Sequence, residues 1–312
     1  MEFLILALGV LFLVKGADWF VGGAAALARY LRIPSIVVGL TIVALGTSLP
    51  ELAVSLTAAV KGSNAIALGN VLGSNIVNLL MVIGLSALIH PIQVEPSVMK
   101  RDYSVSILMA VVLLFFLSDF LFHREMVLSR PDGVMLLGIL GIYMVQMVSQ
   151  ALKGRPQADN LDMTHGVLWN VALCICGSVA IIIGGQMVVN GATEIARSFG
   201  LSETLIGLTI VAVGTSLPEL VTSVVAAKKG ESDIALGNVV GSNIMNIGFI
   251  LGVSAGISPI RVEPENVYDA AILLAVSLFF FLPLYARKRV TRGTGAMMVL
   301  VYVIYTGYIL MR

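Results

Sequence analysis

GLTIVALGTSLPEL, residues 39–52, returns almost unchanged as GLTIVAVGTSLPEL at 207–220, and IALGNVLGSNIVN at 66–78 returns as IALGNVVGSNIMN at 234–246. Both pairs share one offset, because 219 − 51 = 168 and 242 − 74 = 168. The offset runs without a gap from Gly16 against Gly184 to Pro96 against Pro264. The chain is therefore a tandem duplication whose halves share one helix plan.

Around these motifs the sequence is 58% hydrophobic and 12% charged, with mean hydropathy +0.99. An ordinary soluble domain carries about 25% charged residues. A spanning helix needs about 20 apolar residues, and ten such segments can be read: 3–27, 35–59, 65–89, 102–121, 131–152, 166–195, 203–227, 233–257, 266–286 and 294–311. A membrane β-barrel would instead show weak alternation over about 10 residues per strand. The expectation is an all-α integral membrane protein of ten transmembrane helices, with one five-helix repeat at 1–153, a hydrophilic linker at 154–165 and a second repeat at 166–312. Five is odd, so the second copy enters from the opposite side and the repeats are inverted. That arrangement places matched elements face to face near the midplane in many secondary transporters.

The start, Met1 and Glu2 before an apolar run, lacks the features of a cleaved secretory signal. Loops opposite the amino terminus hold twelve Lys and Arg against six on the amino-terminal side, which puts both termini outside. A prokaryotic plasma (inner) membrane is the expected location. A net charge of +1 gives no sign of a nucleic-acid partner, and no protein partner is indicated beside the lipid bilayer. Cys174 and Cys176 read as small packing residues. His90, His123 and His165 read as solvated loop residues. Lys15 and Asp18, three apart in the first segment, read as a buried ion pair or as part of a gate.

The chemistry lies in the repeated motifs. Pro50 has no N–H and crowds the carbonyl of Gly46, so main-chain oxygens near Ala44 to Thr47 are expected to lose helix partners. Beside a bound cation such oxygens become useful. Glu51 lies four residues after Thr47 on the same face, and Gly214, Thr215, Ser216, Pro218 and Glu219 repeat the arrangement. Asn70, Ser74 and Asn78 form a polar stripe at i, i+4, i+8, matched by Asn238, Ser242 and Asn246. Pooled, the halves offer carboxylates, hydroxyls, amides and carbonyls without sulfur or imidazole. Such a set suits a hard cation, and calcium takes about 6–8 oxygens. Two close carboxylates buried alone are costly. One calcium neutralises both, as do two or more sodium ions, which is a chemical basis for exchange.

At these residues the sequence resembles the sodium/calcium exchanger family of the cation/calcium antiporter superfamily, whose two alpha repeats carry GTSLPE and a following GN…GSN…N stretch. The likeness covers essentially the whole chain. It implies that sodium and calcium are the transported ions, with no cofactor. It also implies ligands at Thr47, Ser48, Glu51 and Ser74, at Thr215, Ser216, Glu219 and Ser242, and at the main-chain oxygens of Ala44 and Ala212. The implied fold has first and sixth helices that slide across a core of the others. Potassium-dependent members bear an acid where Asn246 stands. With amides at both Asn78 and Asn246, which join the candidate metal set, potassium is not expected to be required. A proton/calcium antiporter using the same glutamates is the nearest alternative, and a cation channel fits one central site less well. An intramembrane enzyme would need a partner to activate Ser48 or Ser216, and the motifs offer none.

Overall fold

The computed structural model describes residues 2–61, 64–118, 126–153, 166–200 and 212–311. The expected linker at 154–165, the opening of the seventh expected segment at 203–211, and His123 and His165 lie outside them. The first half runs α1 (Glu2–Leu31), α2 (Ser35–Thr47), α3 (Leu49–Val60), α4 (Asn64–Val77, continuing through a π-turn into Ile83–Ile89), β1 (Ile92–Gln93), α5 (Pro96–Val98, continuing into Ser104–Leu117), β2 (Val127–Leu128) and α6 (Arg130–Lys153). The second runs α7 (Val167–Ser198), a turn at Ala212–Gly214, α8 (Leu217–Lys228), α9 (Ser232–Met245, continuing through a π-turn into Gly252–Ile257), β3 (Ile260–Arg261), α10 (Pro264–Arg287), β4 (Arg289–Val290) and α11 (Arg292–Met311).

Among the described residues seven helices are long and apolar enough to cross a membrane, and the bent pair α2 and α3 makes an eighth. Of the ten expected segments, the fourth is described only to Ser118, and α5 carries Lys100, Arg101 and Asp102 in its opening turns. The seventh is described only in part. Helix α1 overruns its expected end at 27. It stops where Arg32 turns left-handed (φ 52°) and Arg32 and Ile33 donate back to the carbonyls of Arg29 and Ala28, just before Pro34.

Two glycine stripes set the register of α1 against α7. A Cβ on Gly9 would lie 2.9 Å from the Gly184 carbonyl, one on Gly16 2.8 Å from that of Gly177, and one on Gly23 2.7 Å from that of Asn170. Each step of seven up α1 is a step of seven down α7, so these repeat counterparts run antiparallel. Side chains larger than hydrogen would part the backbones, which is why small residues line such contacts. Helices α4 and α9 occupy the centre: 72% and 89% of their apolar stretches are buried, against 33% for α1 and for α7.

Two short antiparallel ribbons tie the halves together. Ile92 and Gln93 of β1 pair with Val290 and Arg289 of β4, and Val127 and Leu128 of β2 pair with Arg261 and Ile260 of β3. Ile92, Val290, Leu128 and Ile260 point inward and are buried.

The expected buried pair of Lys15 and Asp18 is corrected. Lys15 is exposed, and the half-exposed Asp18 carboxylate meets Lys229 Nζ at 2.8 Å, where the last turn of α8 reaches α1. Cys174 is buried and Cys176 exposed, and both are free thiols.

Gly16→Val is expected to lower thermal stability in detergent by the about 1–3 kcal/mol that overpacking costs. Gly69→Ala, where a new Cβ meets nothing within 4 Å among the described residues, should be neutral. Equal thermal unfolding midpoints for the two variants would refute the close packing of α1 and α7.

Candidate cation site

The break between α2 and α3 places Glu51. Ser48 leaves helical geometry (φ −84°, ψ 8°), the two halves bend by 51°, and Pro50 then starts α3 with Glu51 in its first turn. The electropositive start of a helix favours a carboxylate there. Ser216 (φ −90°, ψ 6°), Pro218 and Glu219 repeat the geometry at the start of α8. Both glutamates have no exposed surface.

The serines reach across the duplication. Ser48 Oγ donates to Glu219 Oε1 at 2.9 Å, and Ser216 Oγ donates to Glu51 Oε1 at 3.5 Å. Ser242 Oγ lies 3.0 Å from Ser48 Oγ, 3.4 Å from Glu219 Oε1 and 3.5 Å from the Ala44 carbonyl. Thr47 Oγ1 has three acceptors in reach, and the nearest is Asn238 Oδ1 at 2.9 Å. Each glutamate is thus held by a hydroxyl from the opposite half.

Polar atoms buried without a partner normally cost about 1–3 kcal/mol each. Among the described residues, the buried side-chain oxygens with no hydrogen-bond partner include Glu51 Oε2, Glu219 Oε2, Ser74 Oγ, Asn78 Oδ1 and Asn246 Oδ1. These five belong to residues singled out from the sequence, and Ser86, Thr222 and Ser254 hold three more such oxygens that do not. A desolvated hard cation supplies what such oxygens lack, so the donor set fits one. Ala212 and Thr215 hold the places before the second break that Ala44 and Thr47 hold before the first.

One expectation needs correction. The Ala44 carbonyl is not freed by Pro50, since it still accepts the Ser48 N–H at 3.0 Å. The bend falls after Ser48, and the carbonyl that proline deprives is that of Gly46, which Ser178 Oγ of α7 approaches at 3.5 Å. Ala44 offers only its second lone pair.

Sequence reasoning missed Asn75 and Asn243. Each donates its amide to the other's main-chain carbonyl, at 3.3 and 3.2 Å, while Asn78 Nδ2 donates to Asn243 Oδ1 and Asn246 Nδ2 to Asn75 Oδ1. This four-amide ring commits the N–H groups of Asn78 and Asn246 and leaves their oxygens for the interior. The signal was present, because Asn follows Ser in both GSN motifs. It stands one position off the stripe that the i, i+4 spacing picks out.

A family model described as "Sodium/calcium exchanger protein" matches residues 1–148 and 169–311. The inner membrane protein YrbG of Escherichia coli is 37% identical over 307 residues, covering 94% of this chain and 92% of that one. The sodium/calcium exchanger MaX1 of Methanosarcina acetivorans is 34% identical, covering 97% of each. Among solved structures, one of the sodium-calcium exchanger NCX_Mj superposes with a TM-score of 0.85 at 33% identity, covering 99% of this chain and 98% of that one.

Asn243→Leu removes the donor to Asn75 and the acceptor of Asn78 together. It is expected to destabilise the folded protein by about 1–3 kcal/mol, the penalty for stranding buried polar groups. An unchanged thermal unfolding midpoint in detergent would show the ring to be incidental.

Proposed function

We propose, from the premise that this chain belongs to the sodium/calcium exchanger protein family, that it exchanges sodium for calcium at one central site by alternating access. The family is one of membrane transporters and not of enzymes. Cation/calcium antiport is the activity it brings, with sodium and calcium as cargo.

The observation that carries the finer reading is the crossed arrangement of the glutamates. Two buried carboxylates, each bound by a serine of the other half, leave their second oxygens without partners, as the buried oxygens of Ser74, Asn78 and Asn246 also are. We assign the ions to Thr47, Ser48, Glu51, Ser74 and Asn78, to Thr215, Ser216, Glu219, Ser242 and Asn246, and to the carbonyls of Ala44 and Ala212. Calcium matches both charges at once. Sodium ions, each with a smaller coordination shell, divide the same oxygens, and an empty site leaves two uncompensated carboxylates. That penalty on returning empty couples the two fluxes.

The reading takes the chain as two inverted five-helix units, 1–153 and 166–312, joined by 154–165. The antiparallel packing of α1 on its counterpart α7 supports it. So does the unequal enclosure of matched residues: Asn238 is fully buried, whereas its counterpart Asn70 is only partly so. The site then opens on one side at a time. The charge distribution supports both termini outside, and the inner-membrane relative supports a prokaryotic inner membrane. Neutral amides at Asn78 and Asn246 supply no charge to balance potassium.

Purified protein in liposomes should take up calcium when sodium is loaded inside. Glu51→Gln and Glu219→Gln should each lower that uptake on the order of 10²-fold or more, since stranding one buried charge of a set costs about 3–5 kcal/mol. Potassium should be without effect. Uptake driven by a proton gradient without sodium would replace sodium by protons as the counter-ion. Full uptake in either glutamine variant would overturn the site.

A further inference from the structure

Asn70 and Asn238 lie at equivalent places, and each is bolted to the backbone of a glutamate. Asn238 Nδ2 donates to the Glu219 carbonyl at 3.3 Å and to Ser223 Oγ at 2.9 Å. Asn70 Nδ2 donates to the Glu51 carbonyl at 3.4 Å and to Ser55 Oγ at 3.0 Å. Only the third contact differs. The Asn238 carbonyl oxygen accepts Thr47 Oγ1 from the other half at 2.9 Å, while the Asn70 side chain makes no such bond among the described residues.

On the Asn238 side the backbones lie close. A Cβ on Gly237 would lie 3.0 Å from Gly39 Cα, and one on Gly241 2.7 Å from the Leu40 carbonyl, so α9 is pressed against the stretch of α2 that ends at Thr47. The matching glycines of α4, Gly69 and Gly73, have nothing within 4 Å of such a Cβ among the described residues, which leave out 203–211, and Gly69 is exposed. The fully buried Asn238 carries the Thr–Asn bond, and the partly buried Asn70, next to the exposed Gly69, does not. Thr47 and Thr215, Asn70 and Asn238, and Ser55 and Ser223 are identical pairs at the offset of 168, so either half can build the same contact.

Resting on the alternating-access reading, we infer that Asn238 and Asn70 are positioning residues that latch in turn: Asn238 holds Thr47 in the arrangement seen here, and Asn70 holds Thr215 in the oppositely facing one. The latch also commits the threonine's hydroxyl proton, so that its lone pairs are what it offers a cation. On ion exchange one bond breaks as its mirror image forms, and the site is closed on only one side at a time.

The test uses full-length protein in liposomes, with Cys174→Ser and Cys176→Ser, and Gly69→Cys as a reporter of the open side labelled by a membrane-impermeant maleimide. A hydrogen bond of ordinary net strength shifts a two-state balance about two- to tenfold. Asn238→Ala should lower the labelling rate by that factor, and Asn70→Ala should raise it or leave it unchanged. Should Asn238→Ala not fold, Asn238→Ser, which also loses the reach to Thr47 with less disturbance of packing, carries the same expectation. Labelling lowered alike by both variants, or by neither, overturns the latch. Labelling of the parent chain must itself change when calcium replaces sodium. If it does not, alternating access fails. If it does while the variants show no opposed effect, only the latch fails.

Discussion

Two carboxylates with no exposed surface, surrounded by neutral oxygens, set the terms for the rest of the molecule. Water is excluded from both, and no basic side chain hydrogen-bonds either one among the described residues. A buried charge without compensation costs several kcal/mol, so the fold must hold them rigidly and let mobile charge come to them. Rigidity comes from hydroxyls across the duplication and from the amide ring of Asn75, Asn78, Asn243 and Asn246. On the proposed function, occupancy by cations becomes part of the stability of the fold.

The duplication explains how one short motif can do this. A single GTSLPE segment supplies one acid, two hydroxyls and a broken helix, which is half of the proposed coordination shell. Antiparallel packing of counterparts brings the second half to meet the first. Glycines at sevenfold spacing let α1 and α7 lie backbone to backbone outside this centre. The enclosed helices α4 and α9 carry the amides and serines to its middle. Packing and chemistry are therefore specified by the same repeated residues.

Much of this could be read before any coordinates. Glu51 and Glu219 stand beside a proline in an apolar stretch, and a charge there has few structural uses. The constant offset of 168 gave the symmetry directly. What could not be read depended on partners distant in sequence. Asp18 found Lys229, 211 residues away, and no local spacing announces that. The Asn75 and Asn243 pairing is a reciprocity between halves that a one-dimensional stripe cannot display. The effect of Pro50 falls on Gly46 as the spacing implies but does not reach Ala44, whose carbonyl keeps the Ser48 N–H because the bend follows Ser48. Two-residue strands are too short to leave any periodicity at all.

Those strands carry a consequence of their own. β1 and β4 stitch a loop of one half to a loop of the other, and β2 and β3 do the same with a second pair of loops, each by main-chain bonds over a buried aliphatic pair. The covalent joint at 154–165 is then not what holds the molecule together. Severed there, the halves would remain sewn at both seams, and two separately encoded fragments produced in one cell should find each other and copurify. This chain thus carries, between its own halves, the kind of seam that joins two subunits.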